Sequence, residues 1–215
     1  MLTMIDLYCE RTGDGLWAEP LNAATNVAFF AAAFFAWRLS RGNLDRRLGM
    51  LILLMMFVGA GSALFHTFAT AWARVADAIP ILLFSMLFLW MYVRGVLAAP
   101  RPQAGAVVAL LLGGALVGGL FGDVANGSLF HVPVLVLLLA FGAHRYRSRR
   151  PQSGMLLAAG GVFMVSLVLR TVDESSCSAI PAGTHFLWHV LNAGVLLMVF
   201  VTLASGVRQW SSPRI

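Results

Sequence analysis

Seven apolar runs, at roughly 20–39, 47–67, 77–97, 104–122, 128–145, 153–171 and 183–205, are each long enough to cross a hydrocarbon layer of about 30 Å. Little of the 215-residue chain is left outside them. Few folds are open to such a sequence. Inside hydrocarbon every backbone N–H and C=O must find its partner within its own segment, so each run is expected to be a helix. The connections are short, which predicts a single all-α bundle of seven transmembrane helices over 1–215, behind an outer cap at 1–19. Composition agrees, because 60% hydrophobic residues, 11% charged residues and a mean hydropathy of +0.83 lie outside the range of water-soluble domains. No internal repeat or low-complexity linker interrupts the pattern.

The charges predict an orientation. All fifteen basic residues are arginine, and they alternate from loop to loop. Arg38, Arg41, Arg46 and Arg47 follow the first run, Arg94 and Arg101 the third, Arg145, Arg147, Arg149 and Arg150 the fifth, and Arg208 and Arg214 the seventh. These twelve are expected to face the cytoplasm. Arg11, Arg74 and Arg170 fall on the other side with Asp6, Glu10, Asp14, Glu19, Asp77, Asp123, Asp173 and Glu174. The expected arrangement is an N-terminus outside and a C-terminus inside. The net charge of +6 and pI near 10.6 then report topology and contact with anionic lipid, and give no support to nucleic-acid binding.

The opening "MLTMIDLYCERTGDGLWAE" lacks the basic start and continuous apolar core of a signal peptide, so it reads as an ordered outer cap. Glu19-Pro20 suits a helix opening, with an acid at the positive end of the dipole and proline in the first turn. Cys9 in the cap and Cys177 in "DESSCSAIPAG" share the outer face, where an oxidising compartment lets them pair; two unrelated thiols are the alternative.

Ser62 and His66 stand four apart near the outer end of helix two, Asp77 is expected to open helix three at that level, and His185 and His189 stand four apart in the outer turns of helix seven. Ionisable groups at such depth usually face the bundle interior and carry a function. Three imidazoles with a fourth position open to water make a catalytic metal set, best suited to zinc. The metal lowers the pKa of its water and polarises a carbonyl; Asp77 is placed to take or orient the proton and Ser62 to donate to an oxyanion. Each residue has a plainer role as well: an interhelical hydrogen bond for a histidine, a bond to its own helix for Ser62, a helix cap for Asp77. His131 opens helix five as a pocket wall, and His144 sits in an arginine-rich inner loop.

The ordered set Ser-x3-His, an aspartate eleven residues on, and His-x3-His in the last helix resembles the alkaline ceramidase family, within the superfamily that includes the adiponectin receptors. The stretch "DLYCERTGDGLWAEPLNAATN" is similar to the one that precedes the first helix in that family. The resemblance implies a zinc-dependent amidase with Ser62, His66, Asp77, His185 and His189 in the roles given above. It also implies a calcium site in the cap from Asp6, Glu10 and Glu19, with Asp14 standing in for a missing ligand; a solvated acidic cap is the alternative. The cap departs from the eukaryotic pattern, being slightly shorter and having two residues between Asp6 and Cys9 where the pattern has one.

The expected substrate is an amphiphile, a ceramide-like or other N-acyl lipid, drawn from the surrounding membrane lipids; no protein partner is deducible. Small size, many glycines and arginine-only usage point to a bacterial inner membrane with the site toward the periplasmic face. Two other classes remain: a seven-helix receptor or transducer that binds a lipid without turnover, and a transporter or haem membrane protein that uses the histidines otherwise.

Overall fold

The computed structural model describes residues 4–122, 124–149 and 153–211. Among them are seven helices long and apolar enough to cross a membrane. In chain order these are α1 (Pro20–Ser40), α2 (Arg46–Phe68), α3 (Ala71–Val96), α4 (Arg101–Gly119), α5 (Val132–Arg147), α6 (Ser153–Ser176) and α7 (His185–Ser211). No strand forms among the described residues, and a single isolated bridge pairs Met4 with Thr70. Asp123, Arg150 and Arg214 of the charge pattern lie outside the described residues.

The helices close a ring. Each packs on its neighbours in sequence, and α1 meets α7 to complete it. Leu51, Met55, Phe84, Phe88, Phe200 and Leu203 fill the interior, whereas Phe34, Phe35, Leu53, Phe57, Leu110 and Leu116 point outward. Large side chains on the outside are what a hydrocarbon surround permits, since lipid and protein interior are equally apolar. At one end of the bundle Asp45, Arg47, Arg94 and Arg101 line one depression. Asp45 there caps α2, its carboxylate accepting from Leu48 N–H at 2.7 Å.

Two features build the opposite end. The α2–α3 connection is very tight: Ala69 closes α2 in the left-handed conformation (φ 45°) with its N–H bonded to Phe65 O, and Thr70 opens α3. Helix three therefore begins at Ala71, six residues before the expected start. Asp77 consequently lies in the second turn of α3 and caps nothing, which corrects the expectation that it opens the helix. The second feature is the cap. Ile5 N–H bonds Ala69 O at 2.7 Å, and a disulfide joins Cys9 to Cys177 beyond the end of α6.

Gly61 sets the approach of α2 to α3. A Cβ there would overlap the Ala76 carbonyl and come within 3.1 Å of the Asp77 Cα. Absence of a side chain lets the two helices touch beside Ser62. Gly61→Ala should therefore push α3 away at a cost of about 1–3 kcal/mol, the scale of overpacking. Gly105→Ala, where an added Cβ meets nothing within 4 Å, should be neutral or slightly stabilising. Thermal unfolding of both variants in the same detergent checks this, and equal melting temperatures would refute the close-packing argument.

Candidate metal centre

Two helices bring three imidazoles to one point. His66 comes from the last turn of α2, while His185 and His189 come from the first two turns of α7, and all three are buried. Ring centroids lie 5.1 Å apart for His66–His185 and 4.7 Å apart for the other two pairs. One nitrogen from each falls within 4.8 Å of the others, a grouping able to hold a metal ion.

Hydrogen bonds decide which nitrogens face inward. His66 Nδ1 donates to Glu19 Oε2 at 2.6 Å, leaving Nε2 with its lone pair. Thr25 Oγ1 spends its one proton on the backbone, where Leu21 O lies at 2.8 Å, so it accepts from His189 Nδ1 at 2.9 Å. His189 Nε2 is thereby left bare as well. The two Nε2 atoms face each other at 3.0 Å. Two lone pairs at that distance repel unless a cation or proton lies between them, and the separation is near the roughly 3.3 Å edge spanned by two nitrogens on a tetrahedral zinc. His185 adds a buried Nδ1 with no hydrogen-bond partner. These donors fit zinc in type and number, and each of the two inward nitrogens is oriented by a partner behind it.

Ser62 Oγ lies 3.4 Å from His189 Nε2, and the half-buried Asp77 is close to Ser62 across the α2–α3 contact. The structure thus brings Ser62, His66, Asp77, His185 and His189 together. His131 is the residue immediately before α5 and lines an apolar slot beneath the centre, together with Phe29, Phe84, Phe163, Trp188 and Asn192. His144 is exposed at the far end of α5.

The four carboxylates connected with calcium part company. Glu10 accepts from Leu21 N–H at 2.6 Å and Asn22 N–H at 2.7 Å, capping α1. Glu19 is buried and takes Arg11 Nε at 2.5 Å on Oε1 and both His66 and Asn22 on Oε2. Asp6 and Asp14 are exposed. Burial works against the Glu19 charge, but the His66 hydrogen bond, Asn22 and Arg11 outweigh it and hold the carboxyl below its ordinary value.

Several residues around the centre went unread in the sequence. Tyr8 of the cap stacks on His185 with centroids 3.6 Å apart, and burial pushes its phenol up to about 12, so it stays protonated. Asp173 is fully buried at the end of α6. Its Oδ1 accepts from Thr184 N–H at 2.5 Å and His185 N–H at 2.8 Å, and its Oδ2 from Cys9 N–H at 3.0 Å. Glu19, Asn22 and Thr25 recur at threes along the first turns of α1. That polar stripe on an apolar helix was the available signal for a buried face.

A family model described as Ceramidase matches residues 8–212 of the chain. No curated protein matches it.

Asp173→Asn turns one acceptor oxygen into a donor that faces N–H groups, so part of the junction of cap, α6 and α7 is lost. A hydrogen bond to a charged group contributes about 1.5–3 kcal/mol, and a chain of this size shifts its melting temperature by roughly 2–4 °C per kcal/mol. A fall of several degrees is expected in a thermal scan, and an unchanged midpoint would count against the junction.

Proposed function

The chain belongs to the ceramidase family, and from that membership and its three-histidine centre we propose that it is a zinc-dependent amidohydrolase acting on the amide bond of a ceramide-like or other N-acyl lipid. The observation that carries the reading is the pair of bare Nε2 atoms on His66 and His189, held 3.0 Å apart by partners on their far nitrogens. His66, His185 and His189 would hold the metal. Bound zinc supplies Lewis acidity toward the carbonyl oxygen and toward a water.

The chain's own groups do the rest. Asp77 accepts a proton from the attacking water and returns it to the amide nitrogen as the C–N bond breaks, releasing fatty acid and amine. Ser62, beside His189, turns its one hydroxyl proton to the carbonyl oxygen as it gains negative charge. The slot lined by Phe29, Phe84, Phe163 and Trp188 accepts the acyl chain, so the amide is drawn to the polar end of the bundle. The arginine-rich loops at the other end support a cytoplasmic C-terminus, with the centre opening toward the periplasmic side of a bacterial inner membrane.

Purified protein should hold about one zinc per chain by elemental analysis, and His66→Ala, His185→Ala and His189→Ala should each lose it. Asp77→Asn and Ser62→Ala should keep zinc and the fold while fatty-acid release from the best N-acyl lipid falls roughly a hundredfold or more. Metal-loaded variants that cleave at the parent rate would remove both hydrolytic roles.

A further inference from the structure

Arg11 is one of three arginines at the cap end, and it is buried against the metal centre instead of facing water. Its guanidinium reaches three separate pieces of the chain. Nε donates to Glu19 Oε1 at 2.5 Å, NH2 to His66 O at 3.1 Å, and NH1 to Gly13 O at 3.3 Å. Glu19, 2% exposed, passes its second oxygen to His66 Nδ1. A buried carboxylate at such a point needs a cation, because an uncompensated charge in low dielectric is strongly unfavourable. Here the chain supplies one.

The cap leaves little for a divalent ion to use. Calcium takes six to eight oxygens. Glu10 has both oxygens on α1 N–H groups, Asp6 and Asp14 are exposed and share one depression with Arg11, and Glu19, bonded to His66, already carries a guanidinium. Among the described residues the three histidines are the one set of such side chains drawn within reach of a single ion. The acids present do not fit a calcium site, and a dication beside Glu19 would have to displace Arg11 or sit against its positive charge.

We propose that Arg11 is the cap's own cation: it holds Glu19 on His66, and it makes assembly of the metal centre independent of calcium. The proposal rests on the metal-centre reading. Arg11 acts through Glu19 as a positioning residue and touches neither metal nor substrate. A guanidinium stays charged at any physiological pH and cannot diffuse away, so the support is permanent where a bound ion would be conditional. Its planar fork also matches the arrangement, one edge on the carboxylate and another on the backbone carbonyl of the same histidine.

The test uses the full chain in detergent, with zinc affinity measured by chelator competition, the visible spectrum of the cobalt-substituted protein, and the melting temperature. Each is read in calcium-stripped buffer and in millimolar calcium. Wild type should give the same values in both buffers and bind no radiocalcium. Arg11→Ala and Glu19→Gln should each weaken zinc by about 10–100-fold and alter the cobalt spectrum, the usual scale for losing a group that orients a metal-binding histidine. The double variant should be little worse than either, since both act through one bond. Arg11→Lys, which keeps charge without the fork, should fall between wild type and Arg11→Ala. Calcium that raises wild-type zinc affinity or melting temperature overturns the proposal, as does Arg11→Ala with unchanged zinc affinity and spectrum. Should Arg11→Ala fail to fold, the wild-type calcium comparison and Arg11→Lys still decide. Wild type that binds no zinc in either buffer overturns the metal centre itself. Failure of the clamp alone leaves zinc bound, either with calcium dependence or with no loss when Arg11 is removed.

Discussion

The hydrogen bond from His66 Nδ1 to Glu19 is the interaction from which the cap end of the bundle follows. An imidazole in a low-dielectric interior has two nitrogens to satisfy, and fixing one of them determines what the other presents. With Nδ1 committed to a carboxylate, Nε2 must point inward with its lone pair. The carboxylate, once buried for that purpose, must itself be neutralised, and Arg11 is folded under the cap to do so. Glu19 stands at the N-terminus of α1, where Pro20 can start a helix without needing an N–H partner, so the same residue begins the first span and orients the His66 imidazole. A chain of obligations thus runs from one nitrogen through two charges to the course of the N-terminal segment.

His185 depends on a second junction built on the same logic. Asp173 accepts N–H groups from the cap at Cys9 and from the start of α7 at Thr184 and His185, so three segments distant in sequence share one carboxylate. Gly183, with φ at 66°, adopts a left-handed conformation directly against Asp173, and a Cβ would collide with the carboxylate oxygen. The Cys9–Cys177 disulfide runs alongside and closes the same contact covalently. The cap is therefore structural in the full sense: one edge supports His66 through Glu19, the other supports His185 through Asp173, and Tyr8 between them stacks on the His185 ring.

How much of this was legible in the sequence depends on the kind of signal. Spans, and the pairs Ser62/His66 and His185/His189, follow from helical periodicity and apolar length, which are local properties, and the structure places them accordingly. The cysteine pairing followed from a shared face. Asp77 was read at the right level but on the wrong local footing, because the left-handed Ala69 lets α3 start at Ala71, and nothing in "HTFATAWARVAD" announces so short a turn. The acids were hardest. Glu19, Asp173, Glu10, Asp6 and Asp14 look alike in a polar segment, yet two are buried, one caps α1 and two face water. Which carboxylate turns inward is settled by partners outside its own helical turn, Arg11 and His66 for one and the backbone of α7 for another. Those partnerships have no periodicity to read.

Trp188 marks where one environment gives way to the other. It lies on α7 between the two histidines of that helix; its indole stacks at 6.4 Å from His185 and carries the Arg170 guanidinium 5.6 Å above its centroid, while Phe163 and His131 meet its ring at 5.8 and 4.9 Å at the apolar slot. Arg170 donates to Ser128 and to the Asn126 carbonyl, so the cation belongs to the polar end. An indole suits this boundary because it offers a wide apolar face to one side and a π surface to a cation on the other. On the proposed reading the boundary fixes the orientation of the substrate. An acyl chain below the indole and a polar headgroup above it leave the connecting amide at the level of Ser62 and Asp77. Gly61 reinforces that placement, because contact between α2 and α3 there brings Ser62 and Asp77 to one depth. Selection of an amphiphile is then a consequence of where the polarity changes along the bundle.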